Sequence, residues 1–174
     1  MPRYTLPAIF FHWLIAVLIV GAFTMGLVMT DIPGITPTKL KYYSWHKWAG
    51  VTILALACLR LLWRLGHAAP PYPPSMPRWQ QSSASGLHGL LYLLLFAVPV
   101  SGYFYTLSAG VPVVYFGLFP LPVLIDPNPV LKPVLKEVHF WLNMGLASAV
   151  GLHVLAALKH QFIDRDGVLK RMLP

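Results

Sequence analysis

Four apolar runs, each long enough to cross a lipid bilayer, constrain this chain more than any other feature of its sequence. A transmembrane helix needs about 20 predominantly apolar residues, because the hydrocarbon core of a bilayer is about 30 Å thick. Only 10% of the residues are charged, whereas a soluble domain carries about 25%. The sequence therefore predicts an all-α integral membrane protein, a four-transmembrane-helix bundle in a single domain, 1–174. The predicted spans are about 8–29, 45–65, 87–107 and 138–159.

The segments between these runs are of two kinds. Asp31–Ser44 and His67–Gly86 are hydrophilic and are predicted to be connecting loops. Ser108–Ile125 is apolar, but prolines at positions 112, 120 and 122 make a straight helix unfavourable. We expect this stretch to form an interfacial or partly re-entrant cap over one end of the bundle. Pro99 and Gly102 are expected to kink the third span.

Basic residues lie at the ends of the apolar runs rather than on one hydrophilic face. The formal net charge is +8, but no basic patch interleaved with aromatic residues is present, which argues against nucleic-acid binding. Four spans place both termini on one side, and the majority of basic residues on that side predicts that both termini are cytoplasmic. Eight lie there, namely Arg3, Arg60, Arg64, Arg78, Lys159, Arg165, Lys170 and Arg171, against five opposite, Lys39, Lys41, Lys47, Lys132 and Lys136.

Cys58 is the single cysteine. It allows no disulfide within the chain and no CxxC pair for zinc or thiol chemistry, and the absence of a CxxCH motif means that a bound haem would not be attached covalently.

Four histidines form two pairs at matching depths in the predicted spans. His12 and His153 lie nearer the cytoplasmic side, whereas His46 and His139 open their spans from the other side. The fourteen residues from His139 to His153 turn a helix through about 1,400°, roughly 40° short of four turns, so both rings leave nearly one face, about 21 Å apart. Ionisable residues inside a membrane are rare and indicate function. Two sites along one wall are therefore predicted.

Each pair suits bis-histidine ligation of haem, in which two helices offer one neutral imidazole each to opposite faces of the macrocycle. Iron with two imidazoles has no open position, which favours electron transfer over oxygen binding. Zinc is less favoured, because no carboxylate or thiol joins either level. A lone membrane histidine otherwise bonds across helices. Small residues on these helices are candidates for admitting the macrocycle: Gly21, Gly26, Gly50, Gly145, Ala147, Ser148 and Gly151.

The other three histidines leave alternatives open. His88 lies near the cytoplasmic start of the third span and competes with His12 or His153 as a ligand; its other role is a hydrogen bond to a neighbouring helix or to a haem propionate. His67 and His160 lie at the interface. They either face headgroups and solvent or deliver protons to a quinone.

Several motifs together resemble the bacterial cytochrome b561 family over essentially the whole chain: FHW in the first span, WHKWAG and RLLWR bounding the second, and GLHVLAALKHQFIDRDGVLKRMLP at the C-terminus. The resemblance implies a four-helix bundle of the bacterial inner membrane with two non-covalent b haems. His12 and His153 would ligate the cytoplasmic-side iron, and His46 and His139 the periplasmic-side iron. It also implies superoxide oxidase activity: oxidation of superoxide at the periplasmic face and reduction of ubiquinone, with protons from the cytoplasm.

Basic side chains at the two ends supply candidate substrate contacts. The five lysines opposite the termini (Lys39, Lys41, Lys47, Lys132 and Lys136) either guide superoxide toward the haem held by His46 and His139 or are ordinary interface residues. Arg60, Arg64 and Arg78 are candidates to bind propionates or a quinone headgroup, with a structural role as the alternative for Arg60 and Arg64.

Two rival functions remain open at this point. The first is a cytochrome b electron-carrier subunit of a hydrogenase or another dehydrogenase, which would receive electrons from a redox protein partner and pass them to quinone. The second is a haem-free transporter or structural membrane protein. Membrane lipid is an expected partner in every case.

Overall fold

A computed structural model of the chain describes residues 2–173 and contains four long helices within that range. They are α1 (Leu6–Asp31), α2 (Pro37–Gly66), α3 (Arg78–Ser108) and α4 (Leu131–Lys159). Each contains an 18-residue window with a mean hydropathy between 1.5 and 2.3, and each is long enough to cross a membrane. The predicted four-helix membrane bundle is confirmed.

Three helices begin about two turns before the apolar runs that predicted them. α2, α3 and α4 start at Pro37, Arg78 and Leu131, so the two hydrophilic loops are shorter than expected. Hydropathy detects only the part of a helix that lies in hydrocarbon, whereas backbone hydrogen bonding continues into the interface. Two polar caps mark the true starts. Thr36 Oγ1 accepts a bond from the Lys39 backbone N–H at 3.1 Å, and Asn128 Oδ1 accepts bonds at the start of α4.

The helices pack in sequence order. α1 packs on α2, α2 on α3 and α3 on α4, whereas the backbone of α4 hardly approaches α1 or α2. Both termini lie at one end of the bundle, here called the termini end (residues 2–5, 67–77 and 160–173). The opposite end, formed by residues 32–36 and 109–130, is called the loop end. The backbone of α4 is therefore separated from the α1–α2 pair, and this separation is called the gap below.

The small apolar core lies between the two histidine levels. Ile15, Ile53, Ala57 and Leu95 form one buried cluster among α1, α2 and α3. A second cluster joins α3 to α4 and includes Leu146, which is midway between His139 and His153 in the sequence. The bundle is therefore closed by apolar side chains at mid-height, and the histidines lie above and below that closure.

Ser108–Ile125 contains a short β-hairpin rather than a fifth helix. Strands β1 (Val114–Tyr115) and β2 (Phe119–Pro120) pair antiparallel, with Val114 opposite Pro120. The hairpin rests on α2: the Trp48 indole N–H donates to the Val114 carbonyl at 2.7 Å, and the Tyr115 hydroxyl lies 2.8 Å from Thr52 Oγ1. It covers the loop end beside α2, in the position expected of a cap.

Candidate functional site

His46 on α2 and His139 on α4 face each other at the loop end. Their ring centres are 6.2 Å apart and their planes are nearly perpendicular, at 87°. A metal–imidazole bond is about 2.0 Å long and the ring centre lies roughly 1.1 Å behind the bonded nitrogen, so two imidazoles on opposite sides of one metal have centres about 6 Å apart. The spacing of this pair therefore fits an iron atom between the rings.

Backbone carbonyls accept hydrogen bonds from Nδ1 of both rings, so Nε2 is the nitrogen left to bind a metal, although His139 Nε2 also accepts from the Asn143 amide. The Nδ1–H of His46 donates to the Ala22 carbonyl at 2.9 Å, and that of His139 donates to the Val98 carbonyl at 3.1 Å. Metal-binding histidines typically donate the second ring N–H in this way, which sets the tautomer and the ring orientation. The Asn143 amide lies 3.2 Å from His139 Nε2 and also donates to the His139 carbonyl at 2.7 Å. That second bond would keep the amide partnered if Nε2 bound iron.

Two glycines lie directly against these rings. A Cβ atom built on Gly102 would be 2.8 Å from His139 Cε1, and one built on Gly26 would be 3.4 Å from His46 Cε1. Gly26 was among the small residues expected to make room. The sequence predicts Gly102 only as part of a helix kink, and α3 runs through Pro99 and Gly102 as one helix. Gly102 leaves space for the His139 ring only because α3 packs against α4, and no local pattern in the sequence reveals that packing.

A second group of histidines meets at the termini end. The ring centres of His12 on α1 and His153 on α4 are 6.1 Å apart, again the spacing of two imidazoles across one metal. His88 on α3 is closer to His153, at 5.3 Å, which is short for that arrangement. Within residues 2–173 none of these three rings takes part in a hydrogen bond. The structure thus brings the predicted pair together and places the predicted competitor beside it.

Both pairs bridge the gap between α4 and the α1–α2 pair. Their backbones are held apart while their imidazole rings approach to about 6 Å. A haem macrocycle is flat, so it needs a gap of this kind, with one donor nitrogen from α4 and one from the α1–α2 pair. The residues present therefore fit two bis-histidine haems, with His12 and His153 at one level and His46 and His139 at the other.

The candidate arginines fall into two groups. The guanidinium carbons of Arg60 and Arg64 each lie 5.5 Å from the centre of the Tyr92 ring. Both line a cleft at the termini end that holds about 470 Å³ of space, some of it open to the surroundings. Arg78, at the start of α3, is exposed and does not line this cleft.

The five candidate lysines all lie in the half of the bundle nearest the loop end. Lys39 donates to the Ile32 carbonyl at 2.7 Å, and the Lys41 ammonium lies 4.7 Å from the Trp45 ring centre. Lys47 is half-buried next to His46 in the sequence. The remaining two, Lys132 and Lys136, are exposed in the first turns of α4.

The interfacial histidines have defined contacts. His67 stacks on Trp63, with ring centres 4.0 Å apart and planes 5° from parallel. His160 Nδ1 lies 2.6 Å from Asp166 Oδ2 and 3.1 Å from Asp164 Oδ2. A π-helical turn, His160–Asp164, brings these groups together. The two aspartates are not predicted from the sequence, because their approach to His160 depends on that irregular turn.

Comparison with known proteins points to one family. The family model described as prokaryotic cytochrome b561 matches residues 3–174. Among curated proteins, cytochrome b561 homolog 2 of Escherichia coli (strain K12) is 35% identical over 172 residues, which cover 98% of this chain and 91% of that protein. Cytochrome b561 homolog 1 of the same strain is 28% identical over 175 residues, with 100% and 98% covered. The probable superoxide oxidase CybB of Yersinia pestis is 31% identical over 176 residues, with 99% and 96% covered.

Membership follows from the match along nearly the whole chain together with the four membrane-spanning helices. It carries the coarser part of the expected function, which is electron transfer by a b-type haem protein in a bacterial membrane. This chain belongs to the prokaryotic cytochrome b561 family.

Proposed function

We propose that this protein is a two-haem cytochrome that moves electrons across the bacterial inner membrane from superoxide to ubiquinone. The observation that carries the proposal is the presence of two imidazole pairs with ring centres 6.1 and 6.2 Å apart, at two levels of α4. His12 and His153 would hold one haem, and His46 and His139 the other. When bound, the two haems supply one-electron transfer at these levels.

The residues around the rings set the conditions for that transfer. The Ala22 and Val98 carbonyls fix the ring tautomers at the loop end, so that Nε2 is the unprotonated nitrogen that could bind iron. The apolar clusters around Ile15 and Leu146 exclude water between the levels. A dry, pre-organised interior requires little reorganisation when a charge moves.

Superoxide is proposed as the donor at the loop end. In the net reaction two superoxide anions each lose one electron and become dioxygen, while one ubiquinone gains two electrons and two protons and becomes ubiquinol. The proposal is supported by the similarity to a protein named as a probable superoxide oxidase. A second support is the group of five loop-end lysines, which would raise the local concentration of a small anion: Lys39, Lys41, Lys47, Lys132 and Lys136.

The proposed orientation places both termini in the cytoplasm, where the protons would be taken up. Eight basic residues at the termini end against five at the loop end support it. A membrane-impermeant maleimide tests it on spheroplasts carrying Lys132→Cys or Lys170→Cys in a Cys58→Ala background. Labelling of position 132 alone is expected, and labelling of position 170 alone would reverse the assignment.

Haem quantification tests the ligand assignment. The purified protein is expected to bind two haems per chain, with a b-type band in the reduced-minus-oxidised spectrum. His139→Ala and His153→Ala should each leave one haem, because each removes an axial ligand from one level. His67→Ala is the matched surface control and should leave two. If His88→Ala removed a haem while His12→Ala did not, His88 would replace His12 as the ligand.

The donor is tested by mixing the purified two-haem protein with superoxide and a soluble ubiquinone analogue. Reduction of the quinone, at a rate far above that of the His153→Ala variant, is expected without any added protein. A two-haem protein that stays inactive until a dehydrogenase or hydrogenase subunit is supplied would instead be an electron-carrier subunit.

A further inference from the structure

Arg171 is a buried cation with an unsatisfied donor. Its side chain is only 7% exposed. One guanidinium nitrogen, Nη1, donates to the Pro71 carbonyl at 2.6 Å, but the buried Nε–H has no hydrogen-bond partner among residues 2–173. Burying a charge without a counter-charge is costly. A buried guanidinium of this kind indicates a missing anionic partner.

The segment that carries Arg171 is held in place by several contacts. The Tyr4 backbone N–H donates to the Arg171 carbonyl at 3.3 Å, and the Trp13 indole N–H donates to the Met172 carbonyl at 2.7 Å. Arg3 donates to the carbonyl of Leu173. The C-terminal segment 169–173 therefore folds back over the start of α1 and closes the termini end, with the Arg171 side chain on its inner side.

Two further arginines approach the same place. Arg60 and Arg64 lie over the Tyr92 ring. Together with Arg171, they act electrostatically on the Tyr4 phenol. Burial raises the pKa of Tyr4, although the three arginines oppose this shift. The phenol therefore remains a protonated hydrogen-bond donor in a strongly positive cleft.

Arg60 connects this cleft to the histidines. It follows His46 by fourteen residues on α2, the same spacing that separates His139 from His153 on α4. Arg60 therefore lies nearly on the face of α2 that carries His46, at the depth of the termini-end histidines.

No carboxylate in the described chain neutralises these arginines. Three of the five acidic residues lie in the half of the bundle nearest the loop end, namely Asp31, Asp126 and Glu137. The other two, Asp164 and Asp166, contact Lys159 and His160. Within residues 2–173 no arginine forms an ion pair. Arg171 is therefore a buried cation without a charge partner among the described residues, and Arg60 and the exposed Arg64 add two further uncompensated charges near it.

We propose that Arg60, Arg64 and Arg171, with the Tyr4 hydroxyl, form a carboxylate-binding site for the propionates of the haem held at the termini end, and that segment 169–173 is its lid. This inference rests on the proposed function, because it needs a haem at His12 and His153. Guanidinium groups suit carboxylates by paired, charge-assisted hydrogen bonds. The phosphate of an anionic lipid offers similar chemistry and is the alternative source of the anion.

Potentiometric titration of the two-haem protein in nanodiscs tests the site. Removing Arg171 leaves a propionate charge uncompensated, and that charge stabilises the more positive, oxidised iron. Arg171→Gln should therefore shift one of the two haem transitions to lower potential, by about tenfold in the oxidised-to-reduced ratio, which is about 59 mV for one electron. Arg171→Lys, which keeps the charge, should recover most of this shift. Arg165→Gln, which removes an exposed cation at the same end but outside segment 169–173, should leave both transitions unchanged.

The lipid composition separates the two sources of the anion. If the Arg171→Gln shift is the same in phosphatidylcholine and phosphatidylglycerol nanodiscs, and the propionate bending band in the resonance Raman spectrum moves with it, the propionate site stands. Unmoved potentials with both haems bound would overturn it. A wild-type potential that depends on phosphatidylglycerol, and loses this dependence in Arg171→Gln, would assign the anion to lipid. A wild-type protein without two haems would instead refute the proposed function.

Discussion

At the scale of single residues, the proposed haem sites depend on a glycine without a side chain as well as on the histidine ligands. Gly102 has no side chain where the His139 ring lies, and an ideal Cβ there would be 2.8 Å from the ring. Real Cβ atoms essentially never approach so closely. The ring is itself held by the Val98 carbonyl and by Ser101 Oγ, 3.0 Å from Nδ1. The orientation of His139 is therefore determined from two directions.

Gly102→Ala should weaken haem binding at the loop end. The added methyl group must turn the His139 ring away from its preferred rotamer, which costs about 0.5–1.5 kcal/mol. The loss of haem to apomyoglobin should become about 2- to 12-fold faster for one haem only. Gly89→Ala is the matched control on α3, because nothing lies within 4 Å of its added Cβ. Equal rates of haem loss from the two variants would contradict the proposed contact between Gly102 and the His139 ring.

At the scale of elements, α4 carries one ligand for each of the two proposed haems, and the other helices supply the partners. α4 packs closely only on α3, which leaves its histidine-bearing side free to face α1 and α2 across the gap. α2 has two roles: it carries His46, and it supports the loop-end hairpin through Trp48 and Thr52. The hairpin thus supports α2 close to His46, one of the proposed haem ligands.

Tyr115→Phe should weaken this support without changing the helices. It removes the hydroxyl that lies 2.8 Å from Thr52 Oγ1, and the loss of one part-buried hydrogen bond costs about 0.5–1.5 kcal/mol. Thermal unfolding in detergent should show a correspondingly lower midpoint. Tyr42→Phe is the comparison, since the Tyr42 hydroxyl forms no hydrogen bond within residues 2–173, and an equal decrease in both variants would argue against this support of α2.

At the scale of the whole molecule, charge is distributed unequally between the ends. Five lysines accompany three carboxylates in the loop-end half, whereas eight basic residues accompany two carboxylates at the termini end. The excess at the termini end supports the cytoplasmic assignment of the termini. The smaller excess at the loop end supports the attraction of superoxide.

Superoxide oxidation should slow as ionic strength rises. Salt shortens the Debye length from about 30 Å at 0.01 M to about 10 Å at 0.1 M, which screens the exposed Lys132 and Lys136 from the approaching anion. Stopped-flow rates across this range measure the effect. The double variant Lys132→Gln/Lys136→Gln should react more slowly and depend less on salt, whereas Lys170→Gln at the opposite end should behave as wild type. A salt-independent wild-type rate would exclude electrostatic guidance.

The amino-acid sequence alone determined that the chain forms four membrane-spanning helices, because a bilayer imposes a minimum apolar length that each run meets. The fourteen-residue spacing on α4 also predicted two levels on one face, since helix geometry is regular, and matching depth in the spans predicted which histidines would share each level. The helix starts were less predictable. Pro37, Arg78 and Leu131 lie outside the apolar runs, and polar side chains cap the starts of α2 and α4.

Only the tertiary structure placed Gly102 under His139, Asp166 on His160, and the buried Arg171 near Tyr4. Each of these contacts joins elements whose relative approach depends on side-chain packing or on an irregular turn, and neither is encoded as a periodic pattern. Hydropathy and spacing describe one helix at a time. The gap between α4 and the α1–α2 pair exists because α4 packs on α3 alone. Which helix α4 packs against is determined only when the whole bundle assembles.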